Sequence, residues 1–214
     1  MIILGIDTCT RWLNLALVGE GGEVVGEVRE EVATHTTHLV PALDALLAAR
    51  GAVRSDLKAL GAVAGPGSFT GLRVGLSTAL GLSKALGIPA FALDSLTALA
   101  LASGGEGEGV ALLDARRSQV YARWFLREGE RARALSEPQA AAPGEILQSG
   151  RAPAWAAGDG VPLVPGWPPA TALYPDIPNL AVPAARRAWE ALRAGESPQT
   201  LEPLYVRPPD VRKG

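Results

Sequence analysis

The chain has 214 residues, which lies between one domain and two on a prior of about 150 residues per domain. With 48% hydrophobic and 20% charged residues, 25 Gly and 17 Pro, it has the composition of a turn-rich globular protein and not of a disordered one. A formal net charge of −2 gives no electrostatic footprint for gripping a polyanion unaided, and no run approaches the ~18 apolar residues of a membrane helix.

Along the chain, Ile2 to Ile6 is a short apolar run that meets Asp7 too early, and without a basic flank, to read as a signal peptide, so a cytoplasmic protein is expected. Leu13, Leu15 and Leu17 alternate with Asn14 and Ala16, and Val24 to Val28 follows a Gly21-Gly22 turn, which predicts a three-stranded antiparallel meander. A helix is predicted from about Thr37 to Arg50, with Leu39, Leu43, Leu46 and Leu47 at helical spacing and Gly51 as its stop. Pro41 is then expected in its first turn, since deeper placement costs about 3 kcal/mol. A strand at 60–64, a helix at 70–86, a strand at 90–93 and a short helix capped by Ser95 complete a first lobe over 1–103. Residues 104–109 have lost all periodicity and predict a linker. Beyond it, strands at 110–114 and 119–126 and a third near Ala134 repeat the opening pattern, and a helix at 184–194 and a tail through Arg207 follow. The expectation for 110–214 is a second, reduced lobe.

Three features carry chemistry. Asp7-Thr8-Cys9-Thr10 places a carboxylate and hydroxyls in the turn after a buried strand, where Asp can hold a metal-bound water and the hydroxyls and amides a phosphate. The same residues also satisfy the backbone of a tight turn, and no Gly at 8–10 eases the approach of a phosphate. His35 and His38, the only histidines, lack a third ligand nearby, and Cys9 is the only cysteine, so neither a metal site nor an internal disulfide is expected. In the second lobe, Asp114-Ala115-Arg116-Arg117 occupies a strand turn with no Gly beside its Asp, which argues against phosphoryl transfer. Its arginines suit a phosphate, a partner's carboxylate or plain solvent.

The third feature is Gly65-Pro66-Gly67-Ser68-Phe69-Thr70-Gly71-Leu72-Arg73-Val74-Gly75. Pro66-Gly67 suits a type II turn, Ser68 or Thr70 can cap the helix behind it, and no Lys is present to make it a P-loop. In that helix Gly71, Gly75, Ala79 and Ser83 recur every four residues, a row of small side chains on one face. Gly71, Gly75 and Gly81 together forgo roughly 3 kcal/mol of helix stability relative to Ala, which close approach of another backbone would offset. Either the chain's own sheet or a helix of a second chain can supply it.

These residues, with His35-Thr36, Leu39-Val40-Pro41, Asp114-Ala115-Arg116 and Tyr205-Val206-Arg207, resemble the ordered landmarks of the TsaB (YeaZ) family, most closely over residues 1 to about 125. The resemblance implies an α/β protein of two ribonuclease H-like lobes, in the actin, sugar-kinase and heat-shock ATPase superfamily, with the second lobe reduced. It implies a required, non-catalytic role in making threonylcarbamoyladenosine in tRNA, where TsaD performs the transfer and the ATPase TsaE assists. It further implies a helical bundle with TsaD, or with a second copy when alone. The interface candidates are His38, Leu39, Ala42, Leu43 and Leu46 on the first helix, and Leu72, Gly75, Leu76, Ala79 and Ser83 on the second. A bulky residue at Gly75 is then expected to abolish association and leave the monomer folded. Asp7, Thr8, Thr10 and Asp114 would be a vestigial nucleotide site, with no cofactor required and ATP or ADP entering only through the partner complex. tRNA would be met only indirectly. Weak ATP binding or hydrolysis at those four residues is the alternative; a protease is disfavoured by the absence of HExxH and of the two-histidine motif of TsaD-type proteins.

Overall fold

The computed structural model describes residues 1–207; the last seven residues of the expected second lobe, 208–214, lie outside the described residues. Two compact units divide the chain.

The first unit comprises Met1–Ala98 and Asn179–Leu204. Its sheet is built from β1 (Ile2–Asp7), β2 (Trp12–Val18), β3 (Val24–Glu31), β4 (Leu57–Val63) and β5 (Ala90–Leu93), in the order β3-β2-β1-β4-β5. The expected meander is present: β1, β2 and β3 are antiparallel neighbours, while β4 and β5 run parallel to β1. Alternation sorts the strands between two faces. Leu4, Ile6, Leu13, Leu15, Leu17 and Leu60 form one core with α1 (His35–Ala48) and α2 (Phe69–Leu86). Ile3, Ala16, Val18 and Ala59 form another with α4 (Ala181–Ala194).

α4 carries alanines at 181, 184, 185, 188 and 191 toward the sheet, and two strand glycines meet it. A Cβ on Gly5 would overlap the Ala181 carbonyl, and one on Gly61 the Ala184 carbonyl. Small residues on both sides let a helix backbone lie nearly on a strand backbone. This helix was expected in the second lobe; it closes the first, because its apolar stripe matches the far face of that sheet and the second unit's own core is filled without it.

α1 begins at His35, two residues before the expected start, so Pro41 falls in the second turn instead of the first. Its missing N–H is opposite the carbonyl of Thr37; both residues are exposed, which leaves that carbonyl to solvent and not orphaned in the core.

Among the described residues the second unit comprises Leu99–Pro178 and 205–207; α3 (Ser95–Ala102) straddles the first boundary. Its sheet runs β11-β10-β6-β7-β8, with β6 (Gly107–Arg116), β7 (Gln119–Glu128), β8 (Arg131–Ala134), β10 (Trp155–Ala157) and β11 (Ala172–Tyr174), and β9 (Gln139–Ala141) pairs β7 off this path. An antiparallel triplet followed by two strands parallel to its first member repeats the first unit's order. The reduction lies in the helices. Where α1 and α2 stand in the first unit, this one has only the 3₁₀ segments Pro143–Ser149 and Val161–Leu163, whose prolines and flanking glycines shorten them. Among the described residues no helix is long and apolar enough to cross a membrane.

Candidate functional site

The Asp7–Thr10 turn is closed from within. Asp7 Oδ1 accepts hydrogen bonds from the Cys9 N–H at 2.8 Å and from Cys9 Sγ at 2.7 Å; Oδ2 accepts from Asn14 Nδ2 at 2.7 Å. Asp7 and Asn14 are directly opposed in the β1–β2 ladder, and both are fully buried. Burial pushes the Asp7 carboxyl up from its ordinary range, while its bonds from Cys9 and Asn14 and the nearby His35 partly oppose that shift. Thr8 Oγ1 donates to the Gly71 carbonyl at 2.7 Å, and Thr10 Oγ1 accepts from the Trp12 N–H at 3.2 Å. The turn-satisfying reading of these residues is therefore the geometry present.

The glycine-rich loop is what closes it. The Ser68 N–H donates to the Cys9 carbonyl at 2.7 Å, and a Cβ at Gly67 or Gly71 would overlap the carbonyl of Cys9 or Thr8. Gly65 takes positive φ (99°) and the Gly65–Pro66 bond is cis. The expected type II turn, with Gly67 at positive φ, is corrected accordingly: Gly67 is needed for close approach to Cys9 and not for its dihedral angle. Ser68 caps α2, its Oγ accepting from the Gly71 N–H, and Gly87 ends the helix in the left-handed conformation.

The small row follows the same logic. Gly71 and Gly75 lie against Thr8, and Ala79 joins the core below the sheet. Leu39, Leu43, Leu46, Leu72, Gly75, Leu76 and Ala79 are all buried in the chain's own interior, which corrects their assignment to an intermolecular surface: Gly75 meets Thr8 just beyond β1, and Leu39, Leu43, Leu46, Leu76 and Ala79 belong to the core of the first unit. Of the other interface candidates, Ala42 is half-buried against that core, Ser83 Oγ donates to the Ile88 carbonyl at 2.6 Å, and His38 is exposed with Nδ1 donating to the Thr34 carbonyl at 2.8 Å. His35 Nε2 meets the Trp12 carbonyl at 3.2 Å, so each ring has its own backbone partner.

What faces outward on α2 is a second small row, Ser77, Gly81 and Ala85, beside Leu80, which is 41% exposed; α1 contributes Val40, 39% exposed. Nothing lies within 4 Å of a Cβ built on Gly81. The two rows share the four-residue spacing and differ in their surroundings: Gly71 and Gly75 meet Thr8, and Gly81 meets open space.

Asp114 belongs to the second unit. Its Oδ1 accepts from the Arg116 N–H at 2.7 Å, its Oδ2 lies 3.3 Å from Arg116 Nη1, and its own N–H donates to Asp159 Oδ1 at 2.9 Å. Arg116, Arg117 and Ser118 all have positive φ, between 52° and 62°. Three successive left-handed residues without a glycine were not foreseeable from turn composition. Arg207 donates to Gln119 Oε1 at 2.8 Å and to the Ala115 carbonyl at 3.2 Å, bracing the base of this turn. Sequence reasoning also missed Asn179, whose Nδ2 reaches the Leu15 and Val28 carbonyls while its Oδ1 accepts from the Ala181 N–H.

A five-stranded sheet and a six-stranded sheet that repeats its five-strand, ribonuclease H-like order, the first carrying its helices and the second nearly stripped of them, place the chain in the two-lobed fold class of actin, sugar kinases and heat-shock ATPases. The family model described as "TsaD: tRNA N6-adenosine threonylcarbamoyltransferase" matches residues 25–166, and the chain belongs to that family. It is 33% identical to "Uncharacterized protein ML0378" of Mycobacterium leprae, over 99% of this chain and 56% of that one. It is 37% identical to "tRNA threonylcarbamoyladenosine biosynthesis protein TsaB" of Bacillus subtilis, over 56% of this chain and 53% of that one. Among solved structures, "YeaZ from Pseudomonas aeruginosa" superposes with a TM-score of 0.80 at 26% identity, covering 95% of this chain and 99% of that one. The resemblance to TsaB and YeaZ proteins that the glycine-rich loop suggested is met by these matches. The chain thus spans little more than half the length of the Mycobacterium leprae relative.

Proposed function

We propose that the chain serves in the synthesis of threonylcarbamoyladenosine on tRNA as a non-catalytic subunit that supports the transferase TsaD. The name of the Bacillus subtilis relative supports the pathway. The observation that carries the non-catalytic reading is the closed turn at Asp7: both carboxylate oxygens are engaged by Cys9 and Asn14, and the glycines at 67 and 71 pack against the Cys9 and Thr8 carbonyls. On this reading any nucleotide of the assembly is held elsewhere.

TsaD docks on the outer face of α1 and α2, around Val40, Leu80 and Gly81, with TsaE joining the assembly and tRNA reached through the complex. An exposed Gly in mid-helix forgoes about 1 kcal/mol, and close approach of a partner helix gives that residue a purpose which nothing in the monomer supplies. Light scattering after size exclusion tests this. The chain mixed with TsaD from the same organism is expected to form a heteromer, and the Gly81→Trp chain to stay apart while melting like the wild type. Heteromer formation by Gly81→Trp would place the docking surface elsewhere. Calorimetry of the chain alone with ATP is expected to show no binding heat.

A further inference from the structure

The outer face of α1 and α2 carries a cation with no acidic partner among the described residues. Arg73 is exposed, lies over the Phe69 ring at 4.2 Å from its centroid, and makes no ion pair or hydrogen bond among the described residues. It lines a cleft of about 450 Å³ together with the hydroxyl side chains of Thr36, Thr70, Ser77 and Thr78, and no acidic residue lines that cleft. Neither helix has an acidic residue in its first turn, and α2 is capped only by the neutral Ser68 hydroxyl, so the positive ends of both helix dipoles meet no carboxylate of their own. The guanidinium is already restricted by its ring contact, so docking would order it at a reduced entropic cost.

Covering such a guanidinium without a counter-charge opposes association strongly, whereas a carboxylate with hydroxyls around it converts the cation into an attractive anchor. A second copy of this chain is poorly equipped to provide one. The only acid on α1 or α2 is Asp44, and Arg54 binds it in a two-pronged pair at 2.6 and 2.8 Å and holds its carboxyl below the usual range. Pairing these faces between copies would bury Arg73 unmatched or break the Asp44–Arg54 pair.

We propose that the Arg73 cleft is the specificity anchor of this surface: it receives an Asp or Glu side chain from a helix of a different protein and so favours hetero-assembly over self-pairing. The inference rests on the docking of TsaD at α1 and α2, and its test separates the two. The affinity of the full chain for TsaD is measured by calorimetry at low and high salt, for wild type, Arg73→Gln, Arg73→Lys and Gly81→Trp, with self-association followed by light scattering. Arg73→Gln is expected to weaken the heteromer by at least about 30-fold and to flatten its salt dependence, with self-association unchanged or strengthened. Arg73→Lys is expected to restore the salt dependence and only part of the affinity. Wild-type affinity in Arg73→Gln, with Gly81→Trp still abolishing binding, overturns the anchor and leaves the docking reading standing. Equal weakening of self-association and heteromer overturns the assignment to a different protein, because the acid then comes from a second copy. If Gly81→Trp binds like wild type, the docking reading falls and the anchor with it.

Discussion

Asp7 shows how much one buried side chain decides. Its carboxyl is raised by burial, so the folded state holds the proton more tightly than the unfolded state does. The stability this contributes is present below the unfolded carboxylate range and is lost as pH rises through the folded value. Asp7→Asn removes that dependence; it keeps an acceptor for the Cys9 N–H, and Asn14 Oδ1, which has no partner in the structure, can accept from the new amide after a flip. In urea titrations over a pH series, the advantage of wild type over Asp7→Asn is expected to shrink with rising pH and then level off. A constant difference would mean that Asp7 does not titrate in this way. Gly81 and Gly75 make a second contrast at this scale. Gly81→Ala is expected to stabilise the monomer by about 1 kcal/mol, because its Cβ meets open space. A bulky residue at Gly75, with Thr8 against it, is expected to destabilise the fold by about 3 kcal/mol or more, in place of a loss of association alone. Sequence exposed the residues that needed an explanation, two glycine positions and a buried acid, but not which neighbour explained each, because the neighbours come from other elements.

Among the elements, α2 was legible over nearly its whole length, since a cap at Ser68 or Thr70 and leucines at helical spacing are local signals; the structure selects Ser68 as the cap and ends the helix at Gly87. α4 was legible as a helix and misassigned as to its place, because an alanine stripe does not say which sheet it covers. That packing is where the structure has least tolerance. Gly61→Ala puts a methyl group into the Ala184 carbonyl, and a loss of about 3 kcal/mol or more is expected in thermal unfolding. The β6–β7 turn sets the opposite case. Ser118 is exposed at φ 56°, so Ser118→Gly should relieve the left-handed cost and stabilise by about 1 kcal/mol; a loss of stability instead would mean that the hydroxyl contributes more than the backbone conformation costs.

For the molecule as a whole, the repeat of strand order between the two units was readable in outline, since a strand, a tight turn and a strand recur after Gly109. The division of the chain was not. Contact between sequence-distant segments, such as Asn179 with Leu15 and Val28, returns 179–204 to the first unit, and no local pattern encodes it. The same distinction bears on function. One sheet dressed by helices and another nearly bare, with the Asp7–Thr10 turn packed against the glycine-rich loop, are the features on which the proposed supporting role rests. Formation of threonylcarbamoyladenosine on tRNA in a reconstituted system containing TsaD and TsaE tests this most directly, with Asp7→Asn and Gly81→Trp compared against wild type. The account predicts wild-type product with Asp7→Asn and none with folded Gly81→Trp; loss of product with folded Asp7→Asn, with Gly81→Trp fully active, would contradict it.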